Sequence, residues 1–318
     1  MQGYYLKKED LNKFIQFLKR KFDVIGPVKR DLYRYEILND ELPVYNHTTY
    51  SAKKFFLPPV ETLYIYEKNK INAKIKVKPR VMFIHRCDAN ALLIIDNLYL
   101  KDHKDPYYKK RRKNTILIDW PCIPDKNCFC KSMDLVDYFD LRFIDNGKRY
   151  FVEYHSKKGK SLINNLFKPT KDKVKYKQPK CKKKIHTSKG TCSIYVKGNT
   201  KKLWEKYADM CLSCSACTVV CPTCSCFDIK DIYDFDLKIG KRQRAWSSCQ
   251  VWDYTRVAGG YIFRKDREKR VKQRILCKLS YMYDIFGRAR CVGCGRCISS
   301  CPTDIDIVEI ANKLECKR

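Results

Sequence analysis

The stretch CLSCSACTVVCP (211–222) decides how this chain is read, because its pattern returns near the C-terminus as CVGCGRCISSCP (291–302). Both copies follow Cys-x2-Cys-x2-Cys-x3-Cys-Pro, the spacing with which bacterial-type ferredoxins hold 4Fe–4S cubanes. Iron in such clusters selects soft thiolate sulfur over imidazole or carboxylate. Three cysteines at x2 intervals wrap one turn of chain around three corners of a cube. The fourth does not reach that cube and, in two-cluster ferredoxins, ligates the other. The expected ligand sets are therefore Cys211, Cys214, Cys217 and Cys301 for one cluster, and Cys291, Cys294, Cys297 and Cys221 for the second. Two four-cysteine zinc sites are the competing reading. They use paired Cys-x2-Cys knuckles, which groups of three plus a distal cysteine fit poorly.

A chain of 318 residues with 44% apolar content is long enough for two domains with a real core. Nineteen cysteines in a chain of this length, mostly at metal-ligand spacings, fit a reducing cytoplasm better than a disulfide scaffold. The N-terminal MQGYYLKKEDLNKF lacks the apolar region of a signal peptide. ALLII (91–95), the most apolar stretch, is far short of the ~20 residues needed to span a membrane. The expectation is a cytoplasmic protein with no membrane contact.

The formal net charge is +32, which raises the question of nucleic acid, as does KKRRK at 109–113. No helix-turn-helix, RNP or zinc-finger pattern accompanies the charge, and the excess is spread along the chain. A lysine-rich solvated surface, suited to docking acidic partner subunits, is the better reading; a nucleic-acid partner is not expected.

The expected fold class is α+β in three parts. Residues 1–167 form a mixed α/β domain: YEILN, TLYIYE, RVMFIHR, TILIDW and RYFVEYH are rich in the β-branched and aromatic residues of strands. DLNKFIQFLKRKF (10–22) has helical spacing, with Asp10 placed to cap it. Residues 168–202 carry thirteen lysines against the single acid Asp172 and read as a linker or excursion. Residues 203–318 are the cluster domain. The long insert between its motifs has few strand alternations, so this domain is expected to be mainly helical.

The N-terminal half holds a less standard group. Cys87 lies in HRCDANAL, and Cys122, Cys128 and Cys130 in CIPDKNCFC. Four cysteines are the number a third iron–sulfur cluster needs. A strand before each segment would bring both loops to one sheet edge. A zinc site or plain buried thiols are the alternatives. Cys224 and Cys226 in CPTCSCFD and Cys249 in WSSCQ read as buried packing thiols rather than alternate ligands. Cys217-x3-Cys221-x2-Cys224 also matches a radical-SAM triad, but two of its members already serve the ferredoxin pattern. Cys181, Cys192, Cys277 and Cys316 receive no role from the sequence.

KKFFLPPVETLY (53–64), HRCDANAL (85–92), DPYYKKRRKNT (105–115), CIPDKNCFC (122–130), CPTCSCFDI (221–229), RAWSSC (244–249) and CVGCGRCISSCPTDIDI (291–307) occur in order. Together they resemble the iron–sulfur β subunit of cytosolic NiFe hydrogenases of the sulfhydrogenase type, whose domain also occurs in the corresponding iron–sulfur subunit of anaerobic sulfite reductase. The resemblance covers nearly the whole chain. It implies an electron relay in a hetero-oligomer, between a flavin subunit that handles NAD(P)H and a catalytic hydrogenase or sulfite reductase subunit. The eight ferredoxin cysteines match the family at every position. The chain departs from it at Cys277-Lys278-Leu279, where His-Lys-Phe is expected, and in its lysine-rich 168–202.

No Gly-x-Gly-x-x-Gly follows a strand, and no pair of Cys-x2-Cys motifs flanks a large domain as a NiFe centre would require. No substrate-converting site is expected on this chain.

Overall fold

The structure is a computed structural model describing residues 3–316, apart from 69, 74, 103, 187–193 and 196–199. Its largest element is an eight-stranded mixed sheet. In spatial order the strands are Lys168–Thr170, Gly3–Lys7, Arg149–Tyr154, Leu141–Asn146, Thr115–Asp119, Arg80–Ile84, Asp23–Lys29 and Tyr33–Ile37. The four strands from Leu141–Asn146 to Asp23–Lys29 run parallel, and antiparallel strands flank them. All five residues of Thr115–Asp119 are buried, as a parallel strand covered on both faces requires.

Side-chain alternation along Arg80–Ile84 divides the core into two layers. Val81 and Phe83 pack with Leu11, Phe14, Ile15 and Leu18 of the helix Leu11–Lys19. Met82 and Ile84 pack on the opposite face with Ala89, Leu92 and Ile95 of the helix Arg86–Asp96. Asp10 occupies the expected N-cap position of Leu11–Lys19, but its carboxylate does not cap. It pairs instead with Lys13 at 2.8 Å.

A four-stranded antiparallel sheet has the order Phe227–Tyr233, Ile239–Trp246, Val60–Glu67, Lys70–Asn72. It corrects the expectation of a mainly helical cluster domain, which is mixed. The insert between the cysteine motifs forms this hairpin in its first part and the helix Arg267–Leu279 in its second. The hairpin's strand partner is Val60–Glu67, far upstream, so local periodicity carried no sign of the pairing. Trp204 and Tyr207 of the helix Lys201–Met210 pack with Val271, Ile275 and Leu279, forming the helical bed beneath the cysteine loops.

The lysine-rich segment is tied down where it is described. The Tyr176 ring lies 4.9 Å from the Arg86 guanidinium and 4.6 Å from that of Arg142. Ile185 is buried beside Phe129 and Met133, and Lys183 pairs with Asp306 at 2.5 Å. Among the described residues, no helix is long and apolar enough to cross a membrane.

Candidate iron–sulfur sites

The two ferredoxin-type motifs fold as near copies. Ser213 and Ser215 in the first, and Gly293 and Gly295 in the second, take left-handed φ values of 54°, 66°, 66° and 72°. This bend turns the backbone N–H groups inward. Ser213 N–H donates to Cys211 Sγ at 3.4 Å and Gly293 N–H to Cys291 Sγ at 3.4 Å. Short helices follow, Ala216–Val219 carrying Cys217 and Arg296–Ser299 carrying Cys297. After each motif a threonine hydroxyl meets the fourth cysteine: Thr223 with Cys221 at 3.4 Å and Thr303 with Cys301 at 3.5 Å.

The expected ligand sets fall into two separate pockets. Cys211, Cys214, Cys217 and Cys301 line the first, with Gln250 and Arg274. Cys221, Cys291, Cys294 and Cys297 line the second, with Lys278 and again Arg274. Cys297 lines both. Each distal cysteine thus sits with the three cysteines of the other motif.

The chemistry around the sulfurs fits anionic clusters. Burial pushes the Cys291 thiol up to about 12 and raises Cys217 and Cys297 as well, so these thiols stay protonated unless a metal takes the proton's place. Arg274 is 6% exposed and its Nη1 has no hydrogen-bond partner; its Nη2 donates to the Cys217 carbonyl at 2.8 Å. Lys278 is 2% exposed, and its Nζ donates to Thr223 Oγ1 at 2.9 Å. A buried cation is costly unless countered. Burial works against the charge on Arg274, and the sulfurs of Cys224, Cys221, Cys217 and Cys297 work to keep it. Among the described residues, no three His, Cys, Asp or Glu side chains close on a common metal-binding point; the sulfurs line these pockets without converging.

Cys87, Cys122, Cys128 and Cys130 also line one pocket, with His47, His85 and Tyr176. Their approach follows from the sheet. Arg80–Ile84 and Thr115–Asp119 are parallel neighbours with Ile84 opposite Asp119, so the segments bearing Cys87 and Cys122 leave the same edge side by side. Cys294 lines this pocket too, and Cys128 Sγ stands 3.4 Å from the Cys294 carbonyl. Phe129 N–H donates to Gly293 O at 2.8 Å. The sequence reading missed Cys181, whose Sγ is 3.5 Å from Cys130 Sγ. The hydrogen bond with Cys130 lowers the Cys181 thiol to about 6, and the same contact together with burial raises Cys130. Nothing in its lysine-rich surroundings signalled this placement. Cys192 lies outside the described residues. Cys316 sits on a short strand paired with Ile194–Tyr195.

A 4Fe-4S dicluster domain family matches residues 210–305, so the chain carries two 4Fe–4S clusters. It is 34% identical to sulfhydrogenase 2 subunit beta of Pyrococcus furiosus, over 99% of this chain and 98% of that protein. It is 24% identical to F420-dependent formate dehydrogenase subunit beta of Methanocaldococcus jannaschii, over 52% of this chain and 39% of that protein. No solved structure matches it significantly. With a full-length relative at this identity and the cluster domain in place, the chain belongs to the sulfhydrogenase beta-subunit family and is an iron–sulfur electron-transfer subunit.

Proposed function

We propose that this subunit is a wire of three iron–sulfur sites in line, serving a hydrogenase complex. The single observation that carries this reading is pocket continuity. Cys294 lines both the Cys87–Cys122–Cys128–Cys130 pocket and the Cys221–Cys291–Cys294–Cys297 pocket. Cys297 and Arg274 line both the latter and the Cys211–Cys214–Cys217–Cys301 pocket. Cysteine burial, and the four thiols of Cys87, Cys122, Cys128 and Cys130 lining it, support a third cluster at the first of these. Bound clusters supply one-electron transfer. The chain's own contribution is to exclude water, to aim N–H groups at the sulfurs of Cys211, Cys291 and Cys301 (the last from Ile305 at 3.3 Å), and to fix Arg274 and Lys278 beside them. N–H donors and nearby cations favour the reduced, more negative form and raise a cluster's potential.

The relative's name speaks of a sulfhydrogenase, and we read the partners here as a catalytic hydrogenase component together with a flavin subunit handling NAD(P)H. The surface supports a hetero-oligomer. Phe227, Ile229, Phe235 and Leu237 on the hairpin are 40%, 39%, 106% and 73% exposed. Contiguous exposed apolar surface of this kind marks protein contacts. The large positive charge suits an acidic partner.

Iron and sulfide analysis of anaerobically purified protein tests the wire. Replacing Cys122 and Cys128 together by serine is expected to remove about four irons per chain, one cubane, and to leave the signals of the two ferredoxin-type clusters. Unchanged iron in that variant would remove the third site.

A further inference from the structure

Four cysteines outside these three pockets lie on two segments that Arg290 joins: Cys224, Cys226 and Cys249 at the base of the hairpin, and Cys277 on the helix Arg267–Leu279. Phe227 pairs with Trp246 in the hairpin register, which sets Cys226, just before the first strand, against the residues that follow the second. Ser247 N–H donates to the Cys226 carbonyl at 3.0 Å, which sets Cys226 beside the turn bearing Cys249, whose Sγ accepts from Gln250 Nε2 at 3.6 Å. Cys224 is 8% exposed, and its N–H donates to the Cys221 carbonyl at 3.4 Å. Arg290 ties this loop to the helix Arg267–Leu279. Its Nε donates to Thr223 O at 3.0 Å, its Nη2 to Ser225 Oγ at 2.5 Å, and its Nη1 stands 3.8 Å from Cys277 Sγ.

The charges around the group point the same way. Lys53 is 4% exposed, yet its Nζ finds only the Thr218 carbonyl at 3.5 Å and the Trp246 ring at 3.9 Å. Burial weakens its charge, and the sulfurs of Cys224, Cys221 and Cys226 act to hold it. Arg290 contacts a carbonyl, a hydroxyl and a thiol, at Thr223, Ser225 and Cys277. Lys278 is the third cation here. Among the described residues, no carboxylate forms an ion pair with Lys53, Lys278 or Arg290. Buried cations need a counter-charge, and protonated thiols do not provide one. A metal centre held by thiolates does, with each thiol giving up its proton on binding.

We propose that Cys224, Cys226, Cys249 and Cys277 hold a fourth iron–sulfur centre, seated between the hairpin and the helix Arg267–Leu279 and adjoining the Cys221–Cys291–Cys294–Cys297 site. A Cys-x-Cys pair with two dispersed cysteines is not the paired-knuckle arrangement of structural zinc. The backbone bond from Cys224 N–H to the Cys221 carbonyl places the centre next to a relay site. It also places it at the base of the hairpin's exposed apolar face, so the wire branches toward that surface.

The test uses the full chain purified without oxygen. The Cys226→Ser, Cys249→Ser double variant and the separate Cys277→Ala variant are compared with the parent for iron, acid-labile sulfide and zinc, with electron paramagnetic resonance after reduction. The expected result is loss of iron and sulfide in both variants, about four of each for a cubane, while the two ferredoxin-type signals persist. Unchanged iron in either folded variant overturns the proposal, as does loss of zinc in place of iron. The Cys122→Ser, Cys128→Ser protein distinguishes this centre from the third one, since iron lost there and retained in the Cys226/Cys249 variant would leave the third site standing and remove the fourth.

Discussion

Arg296 and Asp88 form a bidentate ion pair with N···O distances of 2.9 and 2.7 Å, each side chain 1% exposed. Arg296 belongs to the second ferredoxin-type motif, and Asp88 is the neighbour of Cys87 on the helix Arg86–Asp96. The pair therefore bolts two cysteine-bearing segments together across the fold. Arg296 also donates to the Thr48 carbonyl and hydroxyl, both at 2.7 Å, and Tyr35 OH donates to Asp88 at 3.0 Å. By sequence alone Arg296 is one basic residue among many near a cluster. In the structure it is a buried strut, and reversing its charge would set two carboxylates face to face.

Breaking that pair from one side should be expensive. Asp88→Ala leaves a buried guanidinium uncompensated, at a cost of about 3–5 kcal/mol. The Asp88→Leu, Arg296→Leu double variant removes both charges and should unfold later than either single variant. Anaerobic thermal unfolding followed by circular dichroism reads this directly. A double variant that is less stable than the sum of the two single ones would show that the pair is not the coupling element.

Gly293 and Gly295 allow the cysteine loops to interlock. A Cβ on Gly293 would lie 2.6 Å from both Cys130 Cα and N, and one on Gly295 would lie 2.4 Å from Asn127 O. These are backbone atoms of the loop that carries Cys128 and Cys130 and have little room to yield. Gly259 has a similar left-handed φ of 83°, but a Cβ there meets nothing within 4 Å. Gly259→Ala should therefore cost only the conformational penalty, ~1–2 kcal/mol. Gly293→Ala should add an overpacking cost of ~1–3 kcal/mol and release iron from the third site. Equal shifts in unfolding temperature for the two variants would mean that the close approach does not constrain the loops.

We propose that ligation is crossed between the two motifs, which would make the ferredoxin-type cysteines separable in pairs. Cys301 lines the pocket of Cys211, Cys214 and Cys217, and Cys221 that of Cys291, Cys294 and Cys297. Cys301→Ser should therefore alter the same resonance signal as Cys214→Ser, and Cys221→Ser the same signal as Cys294→Ser. If Cys301→Ser instead matched Cys294→Ser, each motif would hold its own cluster and the crossed assignment would fall.

What the sequence disclosed was chiefly local. The double motif marked eight sulfurs, and β-branched, aromatic runs marked the strands at Arg80–Ile84 and Thr115–Asp119. A strand before each cysteine segment was enough to expect Cys87 and Cys122 at one sheet edge; that the two strands are parallel neighbours came only with the structure. Contacts between distant segments left no such trace. The union of Phe227–Trp246 with Val60–Glu67 depends on a strand pairing far along the chain, and the FDIKDIY alternation was too short to assert it. Cys181 beside Cys130, and Cys249 beside Cys226, had no spacing rule to announce them. Nor does a formal charge show that Lys53, Arg274 and Lys278 are buried while most other lysines are solvated.

The hairpin tip gives the partner surface its sharpest test. Leu237 adopts φ 57° and is 73% exposed. A leucine there incurs a left-handed backbone penalty of ~1–2 kcal/mol without gaining burial in this chain. Phe235, two residues away, is fully exposed. Neither turn chemistry, which favours Gly, Asn or Asp, nor core packing accounts for the two residues, which on the proposed docking surface would insert into the partner. Phe235→Asp with Leu237→Asn should therefore leave the stability of the isolated chain within about 0.5 kcal/mol, or raise it slightly. The same change should weaken co-purification with the hydrogenase partner by at least tenfold, the loss of one interface anchor of about 2 kcal/mol. Affinity pull-down and analytical size exclusion of the co-expressed complex measure this, and undiminished assembly would move the docking face elsewhere on the molecule.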